Sequence, residues 1–218
     1  MTNPSLLPED HSTCEFDAIQ SALEDFAAGK FLLVVDNEDR ENEGDLIIAA
    51  EKVSTKDMSF MIRYTSGYVC VPMTNERADQ LQLPLMVPNS TDPHKTAYTI
   101  SVDYRHDTTT GISAHDRALT ARSLADLSIT EPTEFNRPGH ILPLRARDGG
   151  VLTRTGHTEA SVDLCKLSGL SPVAVICELV NDDGTMARRD DCKAFSVKHG
   201  IKMITIADLI KYRLDNGL

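Results

Sequence analysis

Residues 31–50 read FLLVVDNEDRENEGDLIIAA. Two short apolar runs, 31–35 and 46–50, flank a segment crowded with charge. Runs of this length, rich in Val, Leu and Ile, suit buried strands better than helices. The stretch therefore reads as strand, charged loop, strand. Asp36, Glu38, Asp39, Glu41, Glu43 and Asp45 place six carboxylates in ten residues, with Arg40 the sole cation among them. Like charges this close repel, so the loop needs either solvation or a bound cation. Gly44 offers a sharp turn inside the run. Arg40 beside Glu41 pairs an anion-binding fork with a metal-type ligand. A calcium EF-hand is excluded. Asp39, Glu41, Glu43 and Gly44 fit its first, third, fifth and sixth positions, but the twelfth is Ala50 rather than a bidentate Glu, and the flanks read as strands. Hard oxygen ligands with room for water and substrate suit Mg²⁺ or Mn²⁺.

Working outward, Phe16, Ile19, Leu23 and Phe26 fall at helical spacing, with Gly29 as a stop. Residues 1–13 read as a loose polar arm, leaving 14–218 as one domain. Met58, Met61 and Ile62 predict a short helix, and residues 68–73 a strand. Pro84, Pro88 and Pro93 bracket a loop over 84–96. Residues 98–104 alternate like a strand. Ser113 is the expected N-cap of a helix over about 114–124, with Asp116 in the capping-box position. A second loop, 128–140, leads into a short strand at 141–144. Ala160, Leu164 and Leu167 share a helical face that ends at Gly169. Residues 173–180 form the clearest buried strand. A turn at 181–184, a helix near 190–198, a strand at 202–206 and a last helix from Ala207 complete the chain. Helices and strands interleave irregularly without repeats or linkers, as in a single α+β (mixed α/β) domain.

A chain of 218 residues fits one large domain. Its formal charge of −11 argues against a nucleic-acid partner, which needs a basic face. It still permits a phosphorylated small molecule held by a few local cations and a metal. Cys14, Cys70, Cys165, Cys177 and Cys192 are odd in number, widely spaced and contain no C-x-x-C pair. That speaks against disulfides and a structural zinc site, and fits a reducing compartment. The first residues show no secretory pattern, and no apolar run approaches the roughly 20 residues of a membrane helix. A cytoplasmic protein without a membrane partner is expected.

Arg154-Thr155-Gly156-His157-Thr158 stands just before a predicted helix. A helix N-terminus offers unpaired N–H groups and partial positive charge. Arg154 adds a bidentate donor, Thr155 and Thr158 add hydroxyls, and Gly156 lets an anion approach the backbone. The assembly suits a phosphate monoester, and equally an ordinary helix cap. It has neither P-loop nor dinucleotide spacing. His157 can be a metal ligand, a base or a bystander. His140, after Pro138-Gly139, falls at a loop-to-strand junction of the kind that carries function. Glu178 lies inside the apolar run 173–180. Facing the core, it would be a costly carboxylate with a raised pKa, fit for acid–base work. Alternation equally permits it to face solvent.

Five motifs in order resemble the 3,4-dihydroxy-2-butanone 4-phosphate synthase family. They are residues 39–45 (DRENEGD), 110–113 (TGIS), 137–140 (RPGH), 154–160 (RTGHTEA), and 177–179 (CEL) with 181–184 (NDDG). The resemblance runs from about 14 to 215. It implies a mixed twisted sheet flanked by helices in three layers, and a magnesium-dependent lyase of riboflavin biosynthesis, with manganese as a possible substitute and no organic cofactor. Such a lyase converts D-ribulose 5-phosphate to formate and L-3,4-dihydroxy-2-butanone 4-phosphate. By motif, Glu41 and His157 would hold the metal. Arg40, Glu41, Asp45, Arg154, Thr155, Gly156, His157 and Thr158 would hold the substrate, joined by Thr96. His140 and Glu178 would be catalytic. The resemblance also implies a homodimer with active sites completed at the subunit interface. Without the zinc-binding cysteine cluster of a GTP cyclohydrolase II domain, the chain is expected to carry the lyase reaction alone. A metal-assisted phospho-sugar isomerase and a nucleotide- or RNA-binding α/β module are the rival readings. The first would release no formate, and the second would need a basic face.

Overall fold

The apolar runs at 31–35 and 46–50 contain neighbouring strands, β1 (Leu32–Val35) and β2 (Gly44–Ala49), paired antiparallel with Leu33 opposite Leu46. The computed structural model describes residues 16–218, so the arm expected at 1–13 and Cys14 lie outside the described residues. Every residue of both strands is buried, as happens when both faces of a sheet are covered. Five more strands complete the sheet: β3 (Cys70–Met73), β4 (Val102–Tyr104), β5 (Phe135–Arg145), β6 (Ala174–Glu178) and β7 (Lys202–Thr205). The order is β4-β5-β3-β6-β2-β1-β7. β1 runs parallel to β7, and β3 to β5. The other pairs are antiparallel, so the sheet is mixed.

Side chains alternate across this sheet and feed two cores. Leu33, Val35, Leu46, Ile48, Val175 and Cys177 face one layer of helices. That layer holds α2 (Thr55–Tyr64), α3 (Asn75–Gln80), α4 (Ala114–Ala125) and α6 (Arg189–His199). Leu32, Val34, Ile47, Ala49, Ala174 and Ile176 face the other. There lie α1 (Ile19–Ala27), α5 (His157–Leu167) and α7 (Ile206–Asp215). Burying each Leu or Ile contributes roughly 1.5–3 kcal/mol, so the two cores fix which residues face which layer. Slipping a strand by one residue would exchange its two faces. The result is the expected three-layer single-domain α+β architecture. Among the described residues no helix is long and apolar enough to cross a membrane.

Four local features differ from the sequence reading. The expected loop at 128–140 ends early: β5 begins at Phe135 and carries Arg137, Pro138, Gly139 and His140 within it. These residues read as a turn because their exposure alternates at the sheet margin instead of forming an apolar run. The strand expected over 98–104 is regular only at 102–104, preceded by isolated bridges at Tyr98 and Thr99. Ser113 does cap α4, accepting the Asp116 N–H at 3.0 Å. The Asp116 carboxylate, however, accepts from Thr109 Oγ1 (2.7 Å) and the Gly111 N–H (3.0 Å), so it braces the preceding loop. Finally, α3 was not anticipated. Its six residues are mostly polar, and its buried members are Arg77 and Ala78.

Arg77 explains why that short helix holds. Its guanidinium is buried and donates to the carbonyls of Leu124 (2.9 Å), Asp126 (2.8 Å) and Ile129 (2.9 Å), where α4 ends. A cation there satisfies carbonyls that the helix leaves unpaired and matches its dipole. Arg77→Met should therefore lower unfolding free energy in urea by about 2–4 kcal/mol. A loss under about 0.5 kcal/mol would show that those contacts are incidental.

Candidate active site

The register of three strands places the site. Asp45 stands opposite Glu178 across β2 and β6, and opposite Val34 across β1 and β2. Asp45 and Glu178 fall in alternation with Ile47 and Ile176, so both project toward the α5 layer. α5 begins directly above them with His157, and its N-cap, Gly156, makes no side-chain capping bond. His157 Nε2 lies 3.1 Å from the Val34 carbonyl, so an Nε2–H donates there and orients the ring. Its Nδ1 then faces Asp45 Oδ1 at 3.6 Å and Glu41 Oε2 at 3.8 Å.

The acidic loop is ordered around Asp36. This buried carboxylate accepts from Arg40 NH1 (2.8 Å) and from the backbone N–H groups of Glu41 (3.1 Å) and Glu43 (2.9 Å). Arg40 also pairs directly with Glu41. The turn spans residues 38–41, closed by the Arg40 N–H to the Asn37 carbonyl at 3.0 Å, and Asn42 follows it with φ of 54°. Gly44, expected to turn, is the first residue of β2, where a side chain would run into Cys192 Sγ. Asp36, Glu41 and His157 offer ligand atoms that all lie within 4.8 Å of one another. Asp36 already has both oxygens engaged, which makes it the organiser of the loop and leaves Glu41 and His157 as the available donors. Asp45 Oδ1 is buried with no hydrogen-bond partner. An orphaned carboxylate oxygen beside a free imidazole nitrogen and a second carboxylate fits a hard divalent cation.

Burial and neighbouring charge set the protonation here. Burial works against a charged His157, but Asp45, Glu41 and Asp36 outweigh it and raise its pKa to about 9. Burial, reinforced by Glu178, Glu41 and Glu43, lifts Asp45 to about 7 despite His157. Burial also opposes ionisation of Glu41, yet His157 and Arg40 hold it down at about 2. A protonated His157 thus occupies the place a cation would take.

The anion side is built by Arg154. It donates to Glu159 Oε2 (2.6 Å), Thr96 Oγ1 (3.1 Å) and the His94 carbonyl (3.2 Å). Glu159 is buried, and its other oxygen accepts the Arg147 N–H at 2.9 Å. A side chain at Gly156 would overlap the Arg154 guanidinium and crowd Arg40, so two cations lie against the open end of α5. Ser66 Oγ donates to Glu178 Oε2 at 2.7 Å.

Arg40, Glu41, Asp45, Thr96, Arg154, His157, Thr158 and Glu178 line one cleft of about 50 Å³, walled by Cys70, Tyr98, Leu144 and Ile176. Thr96 and Tyr98 also wall a neighbouring cavity of about 770 Å³ with Tyr68, Lys95 and Arg145. Glu178 is half-buried at its strand end, which resolves the two orientations open in the sequence: it faces the cleft. Thr155 is exposed and is not among the cleft-lining residues. His140 is not there either. It lies within β5, exposed, in a separate depression with Tyr68, Ile112 and Arg117. Sequence reasoning did not single out Asp36, Glu159, Ser66 or His94, which approaches Glu41 at 3.9 Å. Their positions become apparent only once the loop and strands are folded.

His157 gives a pH test. A raised imidazole pKa stabilises the fold fully below about 6.5, and that contribution is lost as pH rises through about 9. Without divalent metal, urea stability should fall between these values by on the order of 1–3 kcal/mol. His157→Asn should remove the imidazole's part of the decline and leave only that of Asp45, whose carboxyl then ionises at higher pH for want of its cationic neighbour. A flat profile in the unsubstituted protein would contradict the buried charge.

A family model described as 3,4-dihydroxy-2-butanone 4-phosphate synthase matches residues 20–212. The protein of that name from Schizosaccharomyces pombe is 63% identical over 196 residues, covering 89% of this chain and 96% of its own. The one from Saccharomyces cerevisiae is 62% identical over 205 residues, covering 90% and 98%. A crystal structure of a 3,4-dihydroxy-2-butanone 4-phosphate synthase in complex with two magnesium ions superposes with a TM-score of 0.88 at 51% identity, covering 90% of this chain and 96% of that one.

Proposed function

The chain belongs to the 3,4-dihydroxy-2-butanone 4-phosphate synthase family of riboflavin biosynthesis, and from that membership we propose that it is a magnesium-dependent lyase. It converts D-ribulose 5-phosphate into L-3,4-dihydroxy-2-butanone 4-phosphate and formate, which together account for all five carbons. The observation that carries this reading is His157 Nδ1 facing Glu41 and the unpartnered Asp45 oxygen in one cleft. Glu41 and His157 hold the ion, with Mn²⁺ able to replace Mg²⁺. The bound ion supplies Lewis-acid stabilisation to the oxyanion that forms when a proton leaves the carbon beside the ketone.

This chain's residues do the rest. Arg154, Arg40, Thr158 and the open N-terminus of α5 grip the phosphate. Asp45, raised to about 7 in the metal-free protein, is suited to take the first proton. Glu178 faces it across the cleft and serves a later transfer. A cleft of about 50 Å³ has room for a cation and its contacts, so the sugar phosphate extends toward the larger neighbouring cavity.

His140 lies outside its own cleft but is exposed beside the apolar side chains of Tyr68 and Ile112. A homodimer in which His140 of a second copy completes the site reconciles that position with a catalytic role. No organic cofactor and no nucleic acid enters the scheme, and the acidic charge of −11 supports the latter. A cytoplasmic location fits four buried free cysteines among the described residues.

Incubation with ribulose 5-phosphate and Mg²⁺ should release formate, and EDTA should abolish the release. Glu178→Gln should bind substrate with affinity within about threefold of the unsubstituted protein while turnover falls on the order of 10²-fold or more. Unchanged turnover would remove Glu178 from the mechanism. Ribulose 5-phosphate consumed without formate would overturn the proposed reaction.

A further inference from the structure

Asp103 and His140 form a pair that the fold goes to some length to build. Asp103 Oδ2 lies 2.7 Å from His140 Nδ1, and Asp103 Oδ1 accepts the His140 backbone N–H at 2.8 Å. The Asp103 side chain is 11% exposed, whereas the imidazole side chain is 42% exposed. Three backbone features converge on this contact. The β4–β5 register shifts between Val102 and Asp103. Gly139 lets the two strands touch, since a side chain there would run into the backbone of Val102 and Asp103. Gly111, with φ of +91°, lies directly over the pair, where a Cβ would overlap the Asp103 carboxylate. The Gly111 loop is itself held down by Asp116. The Asp–His bond is therefore covered by backbone on one side while the far edge of the ring remains open.

We propose that Asp103 is a positioning residue that keeps the His140 proton on Nδ1, leaving Nε2 as the outward-facing acceptor. A neutral imidazole donates from one nitrogen and accepts at the other, so a carboxylate at Nδ1 decides which is which. Nε2 then takes a proton from a reacting group and returns it, with the Asp103 carboxylate at Nδ1 placed to compensate the transient imidazolium. The catalytic half of this inference rests on the role given to His140 above. The positioning half concerns this chain alone.

Asp103→Asn tests both. The amide oxygen can still accept the His140 N–H, but the amide nitrogen donates toward Nδ1 and drives the proton to Nε2. Long-range ¹H–¹⁵N spectra of the neutral ring should show protonated Nδ1 in the parent protein and protonated Nε2 in the variant. In dimeric, metal-loaded enzyme of unchanged melting temperature, kcat should fall on the order of 10²-fold or more with KM within about twofold. Asp103→Ala, which lacks the opposing donor, should fall less far than Asp103→Asn. A parent spectrum with the proton on Nε2 would overturn the positioning claim. A fully active Asp103→Asn enzyme with a shifted proton would overturn its catalytic consequence. Full turnover in His140→Gln would sink the role of His140 itself, and the spectra would still decide what Asp103 does.

Discussion

A buried imidazole surrounded by carboxylates is the constraint on which the rest of this molecule depends. His157 is 5% exposed, with Asp45 and Glu41 against one nitrogen and the Val34 carbonyl against the other. Burial alone would favour a neutral ring, and burial alone would neutralise Asp45. Together each charge permits the other, but only at close range and in low dielectric. The arrangement keeps positive charge where the loop's repulsion is greatest. A divalent ion held as proposed would fill the same electrostatic need, and it would have to displace the imidazole proton to do so. On that proposal, metal affinity, protonation and loop order are linked through one ring.

That ring is held in place by ordinary sheet geometry. Asp45 and Glu178 face each other because β2 and β6 pair in one register, and they share a face because strand side chains alternate. The buried Leu, Ile and Val side chains of β1, β2 and β6 fix that register. α5 packs over β2, β3 and β6 and brings its uncapped end to the carboxylates. Asp36 converts the loop from a repelling run into a folded turn by engaging two backbone amides and Arg40. Core packing thus positions the site, while the site's polar groups are satisfied among themselves or left for a ligand.

The parts of this picture that depend on local pattern were legible in the sequence. Apolar runs marked β1, β2 and β6, helical spacing marked α1 and α5, and the crowding of carboxylates marked the loop. The motif resemblance then gathered Glu41, Asp45, Arg154, His157 and Glu178, which the fold brings into one cleft. What escaped notice was set by tertiary approach. Arg77 looks like any surface arginine until α4 ends above it. Residues 137–140 look like a turn because Pro and Gly usually make one, yet here Gly139 serves close contact between β4 and β5. Asp36 is one of six similar carboxylates in its loop, and no spacing rule distinguishes the one whose oxygens all point inward. His140 is legible as a chemical group, but its place in the fold, away from its own cleft, is not.

The most direct test of the central claim is anomalous diffraction from crystals soaked in Mn²⁺. A single cleft built by Glu41 and His157 predicts strong anomalous density about 2 Å from a Glu41 carboxylate oxygen and from His157 Nδ1, with Asp45 close by. Density confined to the outer carboxylates Glu38 and Asp39, or none in the cleft at saturating metal, would contradict the account.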